Sequence, residues 1–127
     1  MAMLRGAFKF SLSALIAALV FVTSVRAEPQ YAPTEANKHI GEKATVCGVV
    51  ASATYARSTR GQPTFINLDR AYPNQVFTVL IWGDHRSRFP YAPETLRGQR
   101  ICATGTIQSY RGVAEIIASD PFQITKQ

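Results

Sequence analysis

Beyond residue 42 the chain consists of short runs rich in β-branched residues, separated by turns that contain glycine, proline or asparagine. Runs of this kind predict strands. The interruption of the first run by Gly48 predicts a bulge or tight bend in that strand. Strands are predicted over 43–55, 64–68, 76–82, 100–108 and 113–118, a short helix over 34–40, and an irregular helical segment over 84–97.

This order, in which three strands are followed by a helix and two more strands, is that of the OB-fold, a five-stranded Greek-key barrel. A bent first strand is able to pair with both the second and the fourth strand, and closure of the barrel removes its sheet edges. We therefore predict an all-β OB-fold domain over 43–127, with a short helix between strands three and four. Residues 28–42 are predicted to form an N-terminal extension with a short helix. A plain meander sheet is the alternative.

The first 27 residues have the three parts of a secretory signal peptide. Arg5 and Lys9 form a basic start, residues 12–25 are almost all apolar or small, and the segment ends on Val25, Arg26 and Ala27. The apolar run is short for a membrane span, which needs about 20 residues. We predict cleavage after Ala27 and a periplasmic or secreted protein without membrane association; an uncleaved N-terminal anchor is the alternative.

Charge and cysteine content narrow the possible partners. The whole chain carries 14 Lys+Arg against 8 Asp+Glu, and residues 1–27 hold three of the basic residues and none of the acids. The mature part is therefore only mildly basic, at 11 against 8, which permits a polyanionic partner without requiring one. Because exported proteins meet an oxidising environment, Cys47 and Cys102 are predicted to form a disulfide between neighbouring strands. The absence of a Cys-x-x-Cys motif and the unrelated contexts of the two histidines predict no metal and no cofactor.

Four segments of the sequence resemble the nucleic-acid-binding OB-folds. This group includes the anticodon-binding domains of class II aminoacyl-tRNA synthetases and helicase-associated domains. The most specific matches are the Phe-x-x-Leu of the second strand and the Gly-x-Ile-x-x-Tyr-x-Gly run over 105–112. The resemblance implies a module that binds single-stranded or exposed nucleic acid with little sequence preference. Exported OB-folds that are not known to bind nucleic acid also exist. The alternative is therefore a stress-related module that binds a protein, a small cation or a glycan. The matching segments are 46–50, 64–69, 79–82 and 103–116.

The ligand face of an OB-fold is formed by strands two and three and the loops beside them. If Ile66 and Leu68 face the core, Phe65 and Asn67 face outward, and Phe65 is a candidate for stacking on a base. The alternative for Phe65 is packing under a loop. Tyr55 and Tyr72 are further candidates that either line the groove or cap the barrel.

Cations for the phosphates are expected on the two loops that flank this face. Arg57 and Arg60 lie in the loop after the first strand, and Arg111 lies beside Tyr110 in the last hairpin. If these arginines converge, they form a rim able to follow a phosphate backbone; the alternative is ordinary solvated turns. No phosphate-binding loop or local triad signature is present, so no enzymatic activity is predicted. Four further arginines are predicted only to aid solubility: Arg86, Arg88, Arg97 and Arg100.

Overall fold

A computed structural model describes Gly6, Ser11, residues 13–24 and residues 27–127. The basic start and the Val25-Arg26 pair of the predicted signal peptide lie outside the described residues. Residues 13–24 are exposed and carry no regular secondary structure. Within the described residues, no helix is both long enough and apolar enough to cross a bilayer.

Strands make up most of the regular secondary structure of the described chain, which confirms the predicted all-β class. It has eight strands rather than the five predicted, joined in one sheet. The three additional strands are short segments of two or three residues, and two of them lie at the ends of the domain. The strands are β1 (Gln30–Tyr31), β2 (Lys43–Tyr55), β3 (Thr64–Leu68), β4 (Phe77–Ile81), β5 (Arg100–Thr106), β6 (Gln108–Tyr110), β7 (Val113–Ile117) and β8 (Ile124–Lys126).

The strand order in the sheet is β6-β7-β4-β3-β2-β5-β8, and β1 pairs with β2 outside this path. The long β2 is central, because its first half pairs with β5 and its second half with β3. The β4–β7 and β1–β2 pairs are parallel and the other pairs are antiparallel. The predicted fourth strand is interrupted at Ile107, so that β5 pairs with β2 whereas β6 pairs with β7.

Gly48 is not the site of the bulge in β2. The β2–β5 register runs without a shift through Gly48 and its partner Ile101, and the irregularity lies between Val50 and Ser52 in the pairing with β3. Glycine is needed at position 48 for space, because a Cβ there would lie 2.7 Å from Oδ1 of Asp69. That carboxylate accepts a hydrogen bond from the backbone N–H of Val49 at 2.9 Å. The predicted location was therefore wrong, and the reason for the glycine is close packing.

Helical structure in the described chain is confined to short segments of three to six residues. The N-terminal segment is a 3-10 helix, Pro33–Lys38, in place of the helix predicted over 34–40. The predicted segment over 84–97 divides into the α-helix α1 (Gly83–Arg86) and a 3-10 helix, Pro93–Leu96. Prolines at 90 and 93 account for the division, since proline removes a backbone donor from a helix interior. A third 3-10 helix, Pro121–Gln123, precedes β8.

One hydrophobic core lies between the strands, and the disulfide that the sequence predicts joins two neighbouring strands beside it. Cys47 of β2 and Cys102 of β5 are directly opposite each other and are joined, with 55 residues of sequence separation. A disulfide of this kind is typical of proteins from oxidising, non-cytoplasmic compartments. The largest fully buried apolar side chains of the core are Phe77, Ile66, Leu68, Ile81, Leu96, Ile101, Ile107 and Ile116.

Candidate binding pocket

A cavity of about 560 Å³ opens on the face of β3 and β4 that points away from the core. Strand alternation produces this face, because side chains at successive positions point to opposite sides. Ile66 and Leu68 are fully buried in the core, while Phe65 and Asn67 line the cavity, as the sequence predicts. Thr54, which pairs with Phe65 across the β2–β3 ladder, lines it as well.

Three aromatic side chains form the walls of this pocket: Phe65, Tyr72 and Tyr110. Phe65 is half-buried, whereas Tyr72 is 74% and Tyr110 is 56% exposed. Aromatic faces that remain open to solvent at a cavity are suited to stacking on a flat ligand. The pocket therefore offers one anchored and two accessible aromatic surfaces.

A tight hairpin between β6 and β7 positions the pocket's arginine. Tyr110 pairs with Val113, which leaves a two-residue loop of Arg111 and Gly112 with φ values of 50° and 78°. Positive φ at both positions is the signature of a type I′ turn, and glycine accommodates this conformation best. The guanidinium of Arg111 lies 5.2 Å from the centroid of the Tyr110 ring, so a cation and an aromatic surface stand side by side at the pocket edge.

The pocket floor is a hydrogen-bonded network centred on Asn67, which is only 4% exposed. Its amide Nδ2 donates to Oγ of Ser52 at 2.9 Å, and its Oδ1 accepts from Oγ1 of Thr78 at 2.7 Å. Oγ of Ser52 also accepts from the backbone N–H of Tyr72 at 3.1 Å. This network fixes the amide of Asn67 and ties the Tyr72 loop to β2, so the floor is preformed.

Glu115 of β7 contributes a carboxylate to the same floor. It is 8% exposed and lies beside Thr78 in the parallel β4–β7 register. Its Oε1 accepts a hydrogen bond from Nε2 of Gln108 at 3.0 Å. Burial raises the pKa of Glu115, and the Gln108 hydrogen bond opposes that rise only in part.

Five of the eight predicted ligand-binding residues line this pocket, and three do not. The pocket contains Phe65, Asn67, Tyr72, Tyr110 and Arg111, whereas Tyr55, Arg57 and Arg60 are absent from its lining. The three arginines therefore do not converge on the pocket as predicted, because only Arg111 lines it. Arg57 lies instead 5.4 Å from the centroid of the Tyr55 ring, and Arg60 is exposed.

Tyr55 belongs to a separate cluster because it follows Thr54 by one residue and so faces the opposite side of β2. Its ring is covered by the guanidinium of Arg86, 3.7 Å from the centroid. Arg86 also donates to Oγ1 of Thr64 at 3.0 Å and to Oε1 of Glu94 at 2.7 Å. The hydrogen bond from Arg86 holds the pKa of Glu94 below its ordinary value. The prediction that Arg86 only aids solubility was wrong, since it joins three elements of the fold.

The sequence reasoning missed several polar lining residues, of which Gln75, Thr78 and Glu115 matter most for recognition. Glu115 alternates with the buried residues Ala114 and Ile116, a pattern that marks it as lying on the other face of β7. The parallel pairing that brings this face beside Thr78 carries no local sequence signal. Within the described part of the chain, no cluster of three or more acidic, histidine or cysteine side chains is placed to hold a metal ion.

Comparison with known proteins identifies the fold but no family. No protein-family model matches the chain, and no curated protein is similar to it in sequence. An OBody bound to hen egg-white lysozyme superposes with a TM-score of 0.51 at 17% identity, over 82% of this chain and 98% of that one. A putative aspartyl-tRNA synthetase from Leishmania major Friedlin gives a TM-score of 0.48 at 12% identity, over 87% of this chain and 23% of the synthetase. The likeness to the OBody indicates that the chain has an OB-like fold.

Proposed function

We propose that residues 43–127 form a five-stranded OB barrel that binds single-stranded or exposed nucleic acid without catalysing a reaction. For the barrel, β5 and β6 are taken as one bent strand, since only Ile107 separates them. That strand pairs with β2 at one end and with β7 at the other, which joins the two edges of the β2-β3-β4-β7 ladder. Gly105 supports this closure, because a Cβ there would lie 2.8 Å from Cγ2 of Ile116 on β7.

The observation that carries the ligand proposal is the combination of aromatic walls and an edge arginine in one preformed pocket. Stacking on aromatic side chains contributes about 1–3 kcal/mol per base and tolerates every base. Phe65, Tyr72 and Tyr110 supply such surfaces, and Arg111 beside them supplies a phosphate contact. A cavity of about 560 Å³ is in the range of small-ligand pockets and has room for an unstacked nucleobase.

We also propose that residues 1–27 are a cleaved signal peptide and that the mature protein is periplasmic or secreted. Two observations support this. The large apolar side chains between Leu15 and Val22 are 78–94% exposed and so take no part in the core. The disulfide favours an oxidising compartment. The intact mass of protein recovered from outside the cytoplasm is expected to lack residues 1–27; a mass that retains them would refute cleavage.

A second candidate function is binding of a protein, a small cation or a glycan, as in a stress-related module. The buried carboxylate of Glu115 favours it, because a negative charge on the floor opposes a polyanion. The OBody shows in addition that a protein of this fold is found bound to another protein. The two candidates differ in the effect of salt and in the response to loss of an aromatic wall.

Fluorescence anisotropy with labelled single-stranded DNA and RNA distinguishes them. We expect binding at low salt in roughly the micromolar range and weaker binding as salt rises, because phosphate contacts release counterions. Phe65→Ala should weaken binding with the salt slope unchanged, since stacking releases no ions. Arg111→Ala should lower the slope by about one unit.

The matched control for Arg111→Ala is Arg97→Ala, which removes the same charge from an exposed residue outside the pocket lining. This variant is expected to bind like the wild type. Absence of binding to both DNA and RNA with protein at tens of micromolar, roughly the non-specific range, would reject the nucleic-acid proposal in favour of the second candidate.

A further inference from the structure

Three polar side chains of the pocket, Glu115, Gln75 and Thr78, leave a hydrogen-bond acceptor free. Oε1 of Glu115 is engaged by Gln108, but within residues 27–127 no side chain or backbone group donates to its Oε2. Oε1 of Gln75, which also lines the cavity, is buried without a partner in the described residues. The hydroxyl hydrogen of Thr78 is committed to Asn67, so Thr78 offers only its oxygen to a ligand.

A floor of this composition selects a ligand that carries donors. A carboxylate only accepts hydrogen bonds when ionised, and its two oxygens are able to receive two parallel N–H donors. A buried acceptor left unpaired, as Oε1 of Gln75 is, is costly, so a ligand that donates to it is favoured over one that does not. Arg111 does not neutralise this carboxylate, because no ion pair joins it to Glu115 in the described structure.

We propose that Glu115 makes the pocket selective for guanine, an inference that rests on the proposed binding of nucleic acid. Guanine is the base whose Watson–Crick edge presents two adjacent donors, N1–H and the N2 amine. Adenine and cytosine present one donor group beside an acceptor, and thymine and uracil present one N–H between two carbonyl oxygens. In single strands this edge is free for recognition while the base face stacks on an aromatic side chain, here Phe65. Little sequence preference is then expected outside this one position.

The test uses a labelled oligothymidylate with a single central guanine, compared with three relatives of the same length. These carry thymine, inosine or 7-deazaguanine at that position. We expect the guanine oligomer to bind about tenfold more tightly than the thymine oligomer. Inosine, which lacks only the N2 amine, should lose most of this gain. 7-Deazaguanine, which keeps the Watson–Crick edge, should retain it.

Glu115→Gln assigns the effect to the carboxylate. This variant keeps the size of the side chain but exchanges one acceptor for a donor, so the guanine preference should disappear. Binding to plain oligothymidylate should become stronger, because the variant removes a negative charge from the pocket floor. Glu35→Gln, which removes an equal charge from an exposed residue outside the pocket lining, should keep the preference.

The outcomes separate this inference from the proposed function. Binding of all four oligomers with equal affinity, or a guanine preference that survives in Glu115→Gln, would overturn the role of Glu115 while leaving nucleic-acid binding intact. Failure of every oligomer to bind would reject the proposed function and the guanine preference together.

Discussion

The disulfide between Cys47 and Cys102 should contribute a large part of the domain's stability. The bridge closes a loop with a sequence separation of 55 residues. In the chain-entropy treatment a loop of this length restricts the unfolded state by about 4 kcal/mol at 25 °C. Because small domains are stable by only about 5–15 kcal/mol, reduction should remove a substantial fraction of the total. For a domain of this size the loss corresponds to a fall in Tm of roughly 15–30 °C.

Urea unfolding of the oxidised protein, with and without reductant, measures this contribution. Besides the lower midpoint, the reduced protein should show a larger m-value, because its unfolded chain is no longer held compact by the bridge. The Cys47→Ala/Cys102→Ala double variant is the control, and reductant should leave its transition unchanged. A difference of less than about 1 kcal/mol between the oxidised and reduced protein would refute the entropic argument. Two free thiols in the non-reduced protein would refute the bridge itself.

Three further predictions concern packing and charge. Gly48→Ala should destabilise the domain by about 1–3 kcal/mol in urea, because the new Cβ would meet Oδ1 of Asp69 at 2.7 Å, and the cost should shrink in an Asp69→Gly background. Arg86 lowers the pKa of Glu94, so Glu94 stabilises the fold above its unfolded pKa and loses that effect as the pH falls through the lower folded value. The stability deficit of Glu94→Gln should therefore narrow as the pH falls below the ordinary glutamate pKa of about 4.3, and a deficit that stays constant would contradict this. The pKa shift of Glu115 has the opposite sign to that of Glu94. Its raised pKa gives a stabilising contribution that is present at low pH and is lost as the pH rises through the folded pKa. Glu115→Gln should consequently be more stable than the wild type at pH 7 and equal to it below about pH 4; lower stability at pH 7 would contradict the assignment to burial.

The strand bounds were predictable where they depend on local sequence. The first two predicted strands coincide with β2 and β3, and the third extends one residue beyond β4 at each end. Runs of β-branched residues favour extended backbone, and the glycine and proline turns between them stop it. The fourth predicted strand missed the break at Ile107, because its sequence pattern continues across the point where the pairing partner changes from β2 to β7.

The candidate site was predictable where one strand carries the information. The outward placement of Phe65 and Asn67 follows from the burial of Ile66 and Leu68, since alternation is a local property of a strand. Tyr55 was misplaced because its face depends on the β2–β3 register, and a shift of one residue reverses every side chain. The bond network of Arg86 reaches across elements and left no mark in the sequence around it.

The sequence by itself determined an all-β domain with a cross-strand disulfide and a last hairpin that turns at Arg111. The tertiary structure alone decided which side chains share the pocket. Glu115 meets Thr78 through a parallel pairing between strands that are distant in sequence, and only then does its carboxylate lie buried beside the aromatic walls. The physical reason is that side-chain alternation repeats every two residues and can be seen locally, whereas strand register is fixed by the packing of the whole core.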